Sequence, residues 1–207
     1  MTQRSLVIVT AGLSQPSSTR LLADRLSAAA VDAAGSLGVQ LEARVLELRD
    51  LAHDITNHLL TGFAPAALRD ALDAVAAADG LIAVSPVFTA SYSGLFKSFF
   101  DVLDDGALAD KPVLLAATGG TARHSLALEH ALRPLFAHLH AVTLPTAVFA
   151  APEDWGGDDA EGQLRGRVLR AADELAREVA RRDPATVADP FALTTSFEDL
   201  LAGSGAE

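Results

Sequence analysis

A chain of 207 residues, half of them apolar, has material for one sizeable α/β domain, and its formal charge of −11 excludes the basic surface that non-specific nucleic-acid binding needs. With no cysteine, disulfides, thiol catalysis and thiolate metal sites are excluded. No apolar run approaches the roughly 18–20 residues of a membrane helix, and the stretch after Ser5 is too short for a signal peptide, so the chain reads as soluble and cytoplasmic.

Leu6-Val-Ile-Val9 is a β-branched run ended by Gly12 and predicts a first buried strand. A hydroxyl-rich turn follows, and Leu21, Leu22, Leu26, Ala29 and Ala30 then recur at helical spacing, with Ser17 or Ser18 as the N-cap. Residues 39–48 predict a second strand, which completes a parallel crossover unit. Arg49 to Phe63 shows no clean period and reads as a long irregular loop. Pro65 opens a helix that runs to Val75. Gly80 to Val84 predicts strand three, Ser91 to Leu103 a helix, and Lys111 to Ala117 strand four. Ser125 to His140 predicts one long helix, apolar on more than one side, and hence a subunit interface in a homodimer or tetramer. Val142 to Phe149 predicts strand five, where Pro145 marks an edge or a bulge. Leu164 to Arg181 predicts the last helix. Strict alternation of strands and helices predicts a doubly wound, five-stranded parallel sheet over residues 1–182. Residues 183–207 read as a tail that docks through Phe191 and Phe197.

Three loops follow strands one, three and four, and in such a sheet those carboxyl ends share one edge, where ligands bind. The first offers Ser14, Ser17, Ser18 and Thr19 at a helix N-terminus, a combination suited to phosphate. The same residues also serve as a plain N-cap. The second, residues 84–94, is rich in hydroxyls and small residues and is stiffened by Pro86; its backbone suits a planar, hydrogen-bonding heterocycle. The third places Gly119 and Gly120 where backbone can approach a ligand closely. His124 stands just beyond, within reach of a nicotinamide or a phosphate, or simply as a polar residue near a helix start. His138 and His140 do not share a helical face and are not read as a metal pair.

Ser14-Gln-Pro-Ser-Ser-Thr-Arg20, Ser85-Pro-Val-Phe88 with Ser91-Tyr-Ser-Gly-Leu-Phe-Lys97, and Thr118-Gly-Gly-Thr-Ala-Arg-His124 resemble the NAD(P)H-dependent FMN reductases of the flavodoxin-like superfamily. The resemblance covers roughly residues 5–182, and the middle motif is its most specific part. It implies a flavodoxin-like sheet in the order 2-1-3-4-5 with helices on both faces, and an FMN-binding enzyme that uses NADPH or NADH and has a flavin-dependent monooxygenase as partner. It implies that Ser14, Ser17, Ser18 and Thr19 hold the phosphate of FMN. Pro86, Val87, Phe88 and Thr89 would contact the ribityl chain and ring edge, with Ser91 and Tyr92 in the same motif. Thr118, Gly119 and Gly120 would close the other side. Many members carry an arginine in the first loop, where this chain has Ser14; Arg20 comes after the cap. Hydride transfer between two rings needs alignment rather than a strong acid or base, so no catalytic side chain is expected. A quinone or azo-compound reductase and a flavodoxin-type electron carrier are the alternatives on the same fold.

Overall fold

In the computed structural model, which describes residues 2–184 and so leaves the expected docking of Phe191 and Phe197 outside the described residues, the long strands β1 (Thr2–Thr10), β2 (Val39–Glu47), β3 (Gly80–Phe88) and β5 (Pro112–Thr118) form a parallel sheet. β1 lies between β2 and β3, and β5 follows β3. The predicted order holds for these strands, with two departures. The first is β4 (Ser91–Tyr92), which turns back antiparallel on β3 where a loop leading into a helix from Ser91 was expected; the helix starts only at Gly94 and ends at Phe100, short of the expected Leu103. The second is a divided fifth strand: β6 (Val142–Thr143) and β7 (Val148–Ala150) both pair with β5. Pro145 lies in the gap, where its missing N–H ends the ladder. Arg133 bridges the break by donating from Nη1 to Thr143 Oγ1 and to Leu144 O, each at 3.0 Å.

Alternation along each strand sends side chains into two cores. Leu6, Ile8, Ile82, Val84, Leu114 and Ala116 face α1 (Ser18–Ser36) and α6 (Asp158–Arg181). Val7, Val9, Leu81, Ala83, Val113 and Leu115 face α3 (Ala66–Ala77), α4 (Gly94–Phe100) and α5 (Arg133–His138). Each fully buried Leu, Ile or Val contributes about 1.5–3 kcal/mol over leaving it exposed, so a sheet apolar on both faces must be covered on both. Phe100 stands 4.7 Å from Phe96 and 4.9 Å from Phe136, centroid to centroid, and this aromatic cluster locks α4 against α5.

Two expectations are corrected. The stretch 49–63 is mostly helix α2 (Ala52–Thr61), preceded by a 3₁₀ turn, Leu48–Leu51. Leu51, Ile55 and Leu59 recur every four residues, but only Ile55 is fully buried, so the apolar stripe is too narrow to stand out. Gly62 ends α2 at φ 71, donating its N–H to His58 O at 2.8 Å. The expected long helix across 125–140 is broken into a 3₁₀ turn at Ala122–His124, a π turn at Leu128–Leu132, and α5. Within the π turn, Arg133 N–H reaches back five residues to Leu128 O. Pro134 follows directly and has no N–H to continue α-type bonding. Leu128, Leu132 and Phe136 bury into the sheet, while Glu129, His130 and His138 are exposed, so this segment is less apolar all round than its sequence suggests.

Candidate functional site

The first loop begins where β1 ends. Ala11 N–H donates to Val84 O at 3.0 Å, the last link between β1 and β3. Gly12 then passes so close to Ser17 that a Cβ there would collide with Ser17 Oγ. Ser17 Oγ accepts from Arg20 N–H at 3.2 Å and caps α1. Thr19 is buried, and its hydroxyl pairs with that of Thr118 at 2.8 Å, tying the first loop to the end of β5. Ser14 and Ser18 are exposed, and neither hydroxyl has a partner among the described residues.

β3 continues through Pro86 to Phe88, beyond the expected end at Val84. A central strand normally rejects proline, but Val84 and Pro86 point their backbone polar groups to the same side, toward β1. β1 stops opposite Val84, so no neighbour asks for the missing N–H. Ser85 holds the hairpin together: its buried hydroxyl accepts from Ser93 N–H and donates to Pro86 O, both at 2.9 Å. Ser93 in turn caps α4, accepting from Phe96 N–H at 3.1 Å. Between the paired Phe88 and Ser91, Thr89 and Ala90 adopt φ 49 and 67, a two-residue turn with both residues left-handed.

The third loop leaves β5 at Thr118. Gly119 N–H donates to Ala150 O at 3.1 Å, and a Cβ on Gly119 would lie 2.7 Å from Phe149 Cζ, so any larger residue would have to displace that ring. Gly120 has open space around the position of a Cβ.

These pieces enclose a cleft of about 390 Å³. Ser14, Ser18, Thr19, Pro86, Val87, Phe88, Thr118, Gly119 and Gly120 line it, joined by Leu13 and Pro152. Ser91 and His124 line an adjoining cleft instead. Ser17 is occupied as the cap, Thr89 sits on the hairpin turn, and the half-buried Tyr92 packs on Phe96 at 5.9 Å. Leu13 and Pro152 were missed from the sequence. Pro152 follows β7, and the rule that strand carboxyl ends share an edge extends to it. Ser85 and Ser93 were missed as positioning residues, because a buried hydroxyl looks like any loop serine in sequence.

The donor set matches a flavin mononucleotide. The volume suits a small-molecule site, and the walls divide into an apolar part at Pro86, Val87 and Phe88 and a hydroxyl-rich part at the α1 N-terminus. Thr10, at the base of the first loop, keeps a buried hydroxyl without a partner. Among the described residues, no charged side chain lines the cleft. Arg20 turns away to pair with Asp24 at 2.8 Å and with Glu47, and these acids raise its guanidinium pKa. Arg49 Nη1 donates to Leu13 O at 3.3 Å without lining the cleft.

The NADPH-dependent FMN reductase family model matches residues 4–156. An FMN reductase (NADPH) of Pseudomonas aeruginosa is 42% identical over 174 residues, covering 83% of this chain and 90% of the relative. The NADH-dependent FMN reductase SfnF of Pseudomonas fluorescens is 41% identical over 175 residues, 84% of this chain and 89% of the relative. Among solved structures, an oxidoreductase from Corynebacterium diphtheriae superposes with a TM-score of 0.85 at 44% identity, covering 88% of this chain and all of the other. From its motifs, its fold and these relatives, the chain belongs to the NADPH-dependent FMN reductase family.

Proposed function

We propose that the cleft binds FMN with its phosphate at the α1 N-terminus and its ring against Phe88, and that NADPH or NADH delivers a hydride to it there. The observation that carries the assignment is the meeting of all three loops in one cleft with a hydroxyl-rich end and an apolar wall. When bound, FMN supplies the ring that accepts the hydride. Ser14 and Ser18 donate to the phosphate, assisted by the positive end of α1. Thr19 and Thr118 fix the spacing between phosphate loop and ring wall through their shared hydrogen bond. Pro86, Val87 and Phe88 exclude water from one side of the ring. Gly120, whose N–H has no acceptor among the described residues, offers a donor to the ring's polar edge.

With no cation in the cleft, the phosphate is held by hydroxyls and helix dipole alone. This supports FMN that exchanges rather than stays, and hence delivery of reduced flavin to a cytoplasmic partner such as a flavin-dependent monooxygenase. The test is a titration followed by FMN fluorescence, with wild type expected to bind in the micromolar range, about −8 kcal/mol. Replacing Ser14→Ala together with Ser18→Ala removes hydrogen bonds to an anion worth ~1.5–3 kcal/mol each. FMN affinity should fall at least tenfold, while riboflavin, which lacks the phosphate, should bind as before. Equal weakening of both flavins would mean that the loop is structural and the phosphate sits elsewhere.

A homodimer or tetramer is part of the same reading. Leu60, Phe63 and Leu126 are exposed at 81%, 66% and 62%, on elements that pack against the sheet face opposite α6. Light scattering should report at least twice the 21.5 kDa chain mass; a monomer at micromolar concentration refutes the assembly.

A further inference from the structure

A second cleft, of about 400 Å³, adjoins the first, and its lining includes Ser91, Arg123, His124, Leu126 and His130. The two clefts share their walls. The β3–β4 hairpin gives Phe88 to one and Ser91 to the other. The loop after β5 gives Gly119 and Gly120 to one and Arg123 and His124 to the other. A Cβ on Gly119 would lie only 3.5 Å from the Cβ of His124.

The chemistry of the two linings differs. Among the described residues, the first cleft has no charged side chain, whereas the second has a guanidinium, two imidazoles and no carboxylate, in a chain of net charge −11. Arg123 is exposed and forms no ion pair among the described residues. Two nearby acids have partners of their own, and Glu129 also lies within electrostatic reach of His130. Glu129 receives Arg133 Nε at 2.6 Å and Nη2 at 2.9 Å, and Glu153 accepts Ala122 N–H at 3.1 Å. A guanidinium without an ion pair among the described residues, beside a flavin cleft, is the complement of a phosphate on the other substrate.

We infer that this second cleft seats a phosphate of the nicotinamide nucleotide, with Arg123 as the fixed charge and His124 and His130 as N–H donors. The inference rests on the FMN-reductase reading above. Two phosphates of the donor share this chemistry: the diphosphate bridge present in both NADH and NADPH, and the 2′-phosphate present only in NADPH.

The experiment compares wild type, Arg123→Ala and Arg123→Lys at saturating FMN, with KM measured for NADPH and for NADH. Calorimetric binding of NADP⁺ and NAD⁺ to the same proteins gives a readout independent of turnover. Arg123→Ala should raise KM and the corresponding Kd about 10–100-fold, with kcat falling far less, and Arg123→Lys should recover part of the loss. Loss with both nucleotides assigns the cleft to the diphosphate; loss with NADPH and NADP⁺ alone assigns it to the 2′-phosphate. Unchanged KM and Kd for both donors overturn the inference, as does a fall in kcat without a change in KM. The FMN titration of these variants keeps the two readings apart. If wild type fails to bind FMN, the function is wrong; if FMN binds equally to all three and donor binding does not move, only this inference fails.

Discussion

Lys111 shows how far a single residue can be from its usual habit. It is 6% exposed at the start of β5, away from the cleft, and its Nζ donates to Ala76 O at 3.0 Å and to Ala78 O, closing the end of α3. Burial lowers its pKa from 10.5 to about 8, against the pull of Asp79. Between those values the unfolded chain holds a proton that the folded chain has released, so stability rises with pH across the window from about 8 to 10.5. Below about 8 the cost of burying the charge is present in full. The two carbonyl bonds favour the charged form, so the rise is at most ~3 kcal/mol. Urea unfolding of wild type and Lys111→Met between pH 7 and 10.5 checks this. The wild type should gain on the variant as pH increases, and a constant difference would show that the ammonium titrates as if exposed.

At the scale of elements, the β3–β4 hairpin is the conspicuous local conflict. Its turn asks for positive φ at two successive residues, and the sequence supplies Thr89 and Ala90. Asn-Gly is the usual solution, and a β-branched residue in the left-handed region is strained by about 1–2 kcal/mol. Thr89→Asn with Ala90→Gly should therefore raise the unfolding free energy by about 1–3 kcal/mol in urea melts. No gain would mean that the turn is relaxed by contacts of its own. The same conflict explains why the hairpin was hidden: nothing in Thr-Ala signals a turn, so 84–94 read as a loop, although its position at a strand's carboxyl end was legible. β1, β3 and β5 were legible because their apolar runs are compact and flanked on at least one side by Gly or Pro, and their order followed from the resemblance. α2 was not, since one fully buried residue leaves almost no period to read. The convergence of Ser14, Phe88 and Gly119 followed from topology, which brings strand ends together whatever lies between them. The diversion of Arg20 onto Asp24 and Glu47 depends on residues up to 27 positions away, and no local pattern encodes it.

For the molecule as a whole, the order of elements sets a timetable. Strands β1, β3 and β5 are complete by Thr118, yet the face carrying Leu6, Ile82 and Leu114 is closed by Leu164, Val168, Leu175 and Val179 of α6. A chain emerging from the ribosome therefore presents this apolar sheet face partly uncovered until nearly the last turn of α6 is out. α1 is available early and shields part of that face through Leu22 and Leu26, but the portion over β5 has to wait. A half-made chain of this kind is prone to association with its neighbours, and chaperone capture during synthesis would be concentrated in the interval between β5 and α6. Slow codons between His124 and α6 would act on yield without altering the three loops of the cleft, which are complete by His124; of the residues lining it, only Pro152 is made later.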